Sequence, residues 1–72
     1  MESLTKVSCY SGFTYAQRPL SFVWNGQVLD VKAVENTWVE PGKRHFRVRA
    51  DDTLFELCYD EFKDEWSVTD LN

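Results

Sequence analysis

The stretch Arg44–Tyr59, RHFRVRADDTLFELCY, decides the fold. Phe46, Val48 and Ala50 alternate with His45, Arg47 and Arg49; beyond a polar break at Asp51–Thr53, Phe55, Leu57 and Tyr59 alternate with Glu56, Cys58 and Asp60. A period of two means two strands with one apolar face each, and the polar break between them means a hairpin. A turn at Asp52-Thr53, or over the four residues Asp51–Leu54, sets Ala50 against Phe55, Val48 against Leu57 and Phe46 against Tyr59. The apolar side chains then share one face, the one a core must cover.

Downstream, a four-residue loop Glu61-Phe62-Lys63-Asp64 places Tyr59 opposite Trp66 and Leu57 opposite Val68 on a last strand, Glu65 to Thr69. Upstream, Pro41-Gly42-Lys43 offers two registers. A two-residue turn sets Trp38 beside His45 and Val34 beside Arg49, mixing apolar and polar faces. A three-residue loop sets Trp38 opposite Phe46, Val34 opposite Ala50, Glu40 opposite Arg44 and Glu35 opposite Arg49. Because a slip of one residue moves every side chain to the other face, the three-residue loop is expected.

Further upstream, Asn25-Gly26 is a strong hairpin signal, since a type I′ turn needs positive φ at both central residues. It pairs Phe22 with Leu29 and Leu20 with Val31. The alternation Leu29, Val31, Ala33 then slips before Val34 and Trp38, which predicts a bulge or bend near Ala33–Glu35. Arg18-Pro19 restarts the chain in an extended conformation after a turn at Ser11-Gly12. Leu4 to Tyr10 forms a weak first strand.

Five to six short strands without a helical period make an all-β antiparallel meander, a single domain over residues 1–72 in which residues 1–9 are either an edge strand or poorly ordered. A bent long strand and the hazard of open edges favour closure into a small Src-homology-3-like barrel. Seventy-two residues bury only about 60% of the surface the unfolded chain exposes. Eleven aromatic residues compensate, each able to bury on the order of 150–250 Å².

No apolar run approaches the length of a membrane span and no N-terminal leader pattern stands out, so the expected location is cytoplasmic, without a membrane partner. Cys9 and Cys58 lack the paired spacing of a zinc site and are too few for a disulfide scaffold. Net charge is −4, split into about +3 over residues 1–50 and −7 over residues 51–72. An acidic total argues against a dedicated duplex-DNA binder, which needs cations to displace counterions from phosphates.

Three groups of residues carry candidate chemistry. The run Lys43-Arg44-His45-Arg47-Arg49 resembles a phosphate-holding stripe, but the expected registers set Arg49 between Glu35 and Glu56, Arg44 against Glu40 and His45 against Asp60. Arg47, opposite Thr37 and Cys58, is the least compensated. Cys58, His45 and Asp60 combine a thiol, a base and an orienting carboxylate, on a strand face that offers no cleft and no oxyanion donors. Trp38 falls on the inward face in these registers, with Phe22, Phe46, Phe55, Tyr59 and Trp66; of the aromatics left less assigned, Tyr10, Phe13, Tyr15, Trp24 and Phe62, either Phe13 and Tyr15 plug an open barrel end or the exposed rings form a binding platform. The acids after Ala50 fall in turns without the spacing of a calcium loop, so no metal or cofactor is expected.

The succession Arg18-Pro19, Phe22, Trp24, Gly26, Val31, Trp38, Pro41-Gly42, Phe46-Arg47-Val48, Asp51-Asp52, Leu57 and Trp66 resembles a family of small bacterial and archaeal proteins of unknown function. Similar domains occur at the C-terminus of Y-family polymerase-like mutagenesis proteins. The resemblance covers most of residues 11–68 and rests on core aromatics and turn formers; Thr53 departs from it, standing where an Asp-Asp-Gly turn has glycine. It implies a fold and no catalytic residue, and it adds a DNA-repair accessory role to the alternatives.

The expected function is a non-enzymatic protein-binding or assembly module. The partner is another protein, held at an unfilled sheet edge or at the Phe13/Tyr15/Trp38 end. The alternative is a single-stranded nucleic-acid contact through Arg44, Arg47 and Arg49. Oligomeric state leaves no signal in the sequence.

Overall fold

Tight reversals built from residues that tolerate a left-handed backbone order the strands: Asn25 (φ 50°) with Gly26 (77°), Gly42 (77°), Asp51 (51°) with Asp52 (59°), and Asp64 (53°). Asn, Asp and Gly accept positive φ at less cost than other residues. The structure, a computed structural model, describes residues 2–9 and 18–71, and every regular element among them is a strand. In chain order these are β1 (Glu2–Thr5), β2 (Val7–Cys9), β3 (Pro19–Trp24), β4 (Gln27–Asp30), β5 (Ala33–Glu40), β6 (Lys43–Ala50), β7 (Thr53–Asp60) and β8 (Glu65–Asp70).

The strands form two antiparallel sheets, five-stranded in the order β1-β8-β7-β6-β5 and three-stranded in the order β2-β3-β4. The eight segments are six continuous runs of chain, because β1 with β2, and β4 with β5, are single runs bent from one sheet into the other. At the first bend Thr5 Oγ1 donates to the Val23 carbonyl (2.6 Å), and the Val23 N–H donates to the Lys6 carbonyl (3.1 Å). At the second, Lys32 N–H donates to the Arg49 carbonyl (2.8 Å). The all-β antiparallel expectation therefore holds, while the hydrogen-bond ladders of the described residues stay in two sheets and do not close a barrel.

The core lies between the sheets. Phe46, Val48, Ala50, Phe55, Leu57 and Val68 of the larger sheet meet Phe22 of the smaller one, all buried. The Phe55 ring takes the edge of Phe22 (centroids 5.1 Å apart) and of Trp24 (5.3 Å), while Trp66 packs on Tyr59 (5.1 Å) and Phe46 (5.7 Å). Tyr59 is buried with its hydroxyl satisfied, donating to Asp64 Oδ1 (2.5 Å). Each such aromatic or aliphatic side chain contributes about 1.5–3 kcal/mol on burial, which is how so short a chain holds two sheets together.

The registers confirm some expectations and correct others. Phe22 pairs with Leu29, Tyr59 with Trp66 and Leu57 with Val68, as expected from the Asn25-Gly26 turn and the loop before β8. The expected bulge occurs, with register shifting between Val34 and Asn36. The central hairpin turns on Asp51-Asp52 alone, so Ala50 pairs with Thr53, Val48 with Phe55, Phe46 with Leu57 and Arg44 with Tyr59. Every partner moves by two residues from the expected pairing; a shift of two preserves the faces, and the apolar face survives.

The correction at Pro41-Gly42 has larger consequences. The turn has two residues, Glu40 pairs with Lys43 and Trp38 pairs with His45. Proline presets the first turn position and Gly42 supplies the positive φ of the second, the signature of a type II turn. The bulge at Glu35 removes the objection to this register, since it absorbs one residue and returns Val34 to the core face opposite Val48. Trp38 and Phe46 therefore point to opposite faces of the sheet.

Two smaller corrections belong to the N-terminal half. The first strand is broken at Lys6 into β1, which pairs with β8, and β2, which pairs with β3. Where β2 meets β3 the register skips a residue, pairing Cys9 with Pro19 and Ser8 with Ser21; Pro19 is buried and Leu20 exposed. Leu20 does not share the core face of Phe22.

Candidate functional site on the outer face of the larger sheet

The registers set Trp38, His45, Cys58, Ser67 and Leu4 in one row across all five strands of the larger sheet, on the face turned away from the core. Asn36, Arg47, Glu56 and Thr69 form the neighbouring row. This face is exposed or half-buried except at His45, whose exposure is 8%.

His45 is flanked by neighbours from the strands on either side of it. The Trp38 indole of β5 stacks on its imidazole, with centroids 5.0 Å apart and planes 3° from parallel. Nε2 lies 2.5 Å from Glu40 Oε1 on β5, and Nδ1 lies 3.2 Å from Glu56 Oε2 on β7. The imidazole thus ties the edge strand to the strand two places in, and the ring stack orients the indole.

Arg47 completes the group. It pairs in the ladder with Asn36 on β5 and Glu56 on β7, and its guanidinium carbon stands 5.8 Å from the Trp38 ring centroid. That is cation–π distance, worth about 0.5–1 kcal/mol at an exposed site. Glu56 is turned to His45, and among the described residues Arg47 has no carboxylate within ion-pair reach.

The other two arginines of β6 are paired. Arg49 Nε donates to Glu35 Oε2 (3.1 Å), Glu35 lying at the bulge, and Arg44 Nε donates to Glu61 Oε2 (2.8 Å). Both pairs are exposed, so each contributes at most about 1 kcal/mol, yet each removes a cation from the sheet's electrostatic profile. The Arg49–Glu35 proximity matches expectation. Arg44 engages Glu61 instead of Glu40, and its ladder parity places it on the core-facing side at the sheet's end.

Of the residues singled out for binding, Trp38, Arg47 and Arg49 share the outer face, Arg44 does not, and Phe13 and Tyr15 lie outside the described residues. Trp38 marks the outer face of β5 instead of a barrel end. The thiol group is also rearranged: Cys58 lies directly across from His45, and Asp60 pairs with Lys43. Asp60 Oδ1 accepts the N–H groups of Phe62 (3.0 Å) and Lys63 (3.1 Å), a turn-capping role. With both His45 nitrogens beside carboxylates, the imidazole is not presented to the thiol.

The outer face also carries an open depression of ≈ 410 Å³ over β7, β8 and β1, lined by Leu4, Cys58 and Ser67 and by the opposed charges Lys43, Asp60, Lys63 and Glu65. No group of three His, Cys, Asp or Glu side chains among the described residues is placed to hold a metal ion. Among those residues, no helix is long and apolar enough to cross a membrane.

The second feature is the edge itself. β5 has β6 on one side and no strand of the described chain on the other, and at eight residues it is twice the length of β1 or β4, the next longest edges. Trp38 is half-buried on its outer face, and Val39, 71% exposed, stands on the opposite one. The His45 network escaped the sequence reading because its members sit five and eleven positions from the imidazole, and only the register brings them together. Compared with family models, with curated proteins and with solved structures, the chain matches none.

Proposed function

We propose that this chain is a non-enzymatic protein-binding module that receives an extended segment of another protein along the free edge of β5. The observation that carries the reading is the length of that edge: eight residues that pair on one side with β6 and, among the described residues, with no strand on the other, flanked by a ring-stacked indole on one face and an exposed valine on the other. An added strand gains main-chain hydrogen bonds from such an edge and specificity from the alternating side chains beside it. The bulge at Glu35 and the acids Glu35 and Glu40 are the devices by which exposed edges avoid indiscriminate pairing. A catalytic reading lacks support, because His45 is held by two carboxylates and Cys58 lies on an open sheet face.

The alternative, a single-stranded nucleic-acid or repair-accessory contact, draws support from Trp38 and Arg47 as a stacking platform. Against it stand the pairing of Arg44 and Arg49 with glutamates and the net charge of −4. An amide chemical-shift titration separates the two. Strand-forming peptides are expected to shift β5 and its neighbours, with a much shallower salt dependence than phosphate binding shows; an oligothymidylate should leave the spectrum unmoved. Shifts on Arg44, Arg47 and Arg49 with the oligonucleotide, lost at high salt, would overturn the reading.

A further inference from the structure

We infer that the segment received by β5 carries a carboxylate side chain, which Arg47 reads beside the Trp38 ring. The inference rests on the strand-addition reading above and names the partner's chemistry. Among the described residues, the carboxylates on this part of the face are already committed: Glu56 and Glu40 to His45, Glu35 to Arg49. The guanidinium leans from β6 over an indole that belongs to β5, the edge strand. A partner strand would lie about 4.8 Å beyond β5, so a side chain facing outward beside Asn36 or Trp38 comes within reach of the guanidinium. The fork of donors on arginine suits a planar carboxylate, and the ring beneath it excludes water from one side of the pair.

The same geometry sets the neighbours of that acid. Residues before and after it on an added strand face the other side of the sheet, next to Thr37 and the exposed Val39, where apolar side chains are favoured. The recognised pattern is therefore apolar, acidic, apolar in an extended segment.

Selection of a displayed random-peptide library on the immobilised wild-type chain, on Arg47→Gln and on Arg47→Glu tests this. The wild type is expected to enrich Asp or Glu between apolar neighbours. Arg47→Gln should lose the acidic preference and bind a synthetic copy of the best wild-type peptide about tenfold more weakly. Arg47→Glu should enrich Lys or Arg at the same position. Arg47 is exposed, so both variants are expected to keep the wild-type far-ultraviolet circular dichroism. Apolar alternation without an acidic preference, or an acidic preference that persists in both variants, would overturn the role of Arg47 and leave the docking edge standing. Failure of every chain to enrich any extended peptide would overturn both.

Discussion

At the scale of single residues, the weight of the fold rests on a few side chains buried between the sheets. Leu57 is 0% exposed and touches the centre of the cluster, whereas Leu4 is 72% exposed on the outer face. Leu57→Ala should cost about 2–5 kcal/mol, because the removed methyl groups leave a cavity that neighbouring strands cannot close. Leu4→Ala should change stability by less than about 0.5 kcal/mol. Urea unfolding midpoints compare the two directly; equal losses would mean the outer face is buried and the assignment of faces is wrong. This part was legible from period-two alternation alone: Phe46, Val48, Phe55 and Leu57 all face the core. Trp38 was not legible. The register that kept apolar and polar faces apart set it opposite Phe46, yet it is half-buried by stacking on a histidine, and nothing in the spacing of apolar residues distinguishes the two environments.

At the scale of elements, the turns decide the registers. Gly42 carries a φ of 77°, and a Cβ there would collide with the edge of the Phe62 ring. Phe62 is 87% exposed and can swing aside, so the left-handed backbone sets the cost. Gly42→Ala should lower stability by about 1–2 kcal/mol in thermal or urea unfolding. The Asp51-Asp52 turn behaves in the opposite sense. Both residues have positive φ without being glycine, and Asp-Gly is the favoured pair for such a turn, so Asp52→Gly should stabilise the chain by about 0.5–1 kcal/mol. A loss of stability there would contradict the two-residue turn. The Asn25-Gly26 reversal and the Glu61–Asp64 loop were readable because their local chemistry determines the pairing beyond them. The Pro41-Gly42 register differs from expectation because the bulge at Glu35, six positions before the turn, changes the count of partners; its presence was legible, but its effect on the pairing beyond it was not.

At the scale of the whole molecule, six runs of chain, two of them bent, produce an inner face that holds the sheets together and an outer face bearing the candidate site. The middle strand of the larger sheet, β7, is flanked on both sides, whereas β5 is flanked on one. Amide hydrogens of β7 should exchange only through global unfolding, and those of β5 through local opening at lower free energy. Protection of β5 equal to that of β7 would mean that the edge is already covered. The account as a whole depends on Trp38 lying outside the core, stacked on His45 and under Arg47, since that placement defines the face and the edge together. The direct measurement is the set of nuclear Overhauser contacts made by the Trp38 indole protons. The expected result is cross-peaks to the His45 ring and to the Arg47 side chain; cross-peaks to Phe46 and Leu57 in their place would contradict the register, the face and the site built on it.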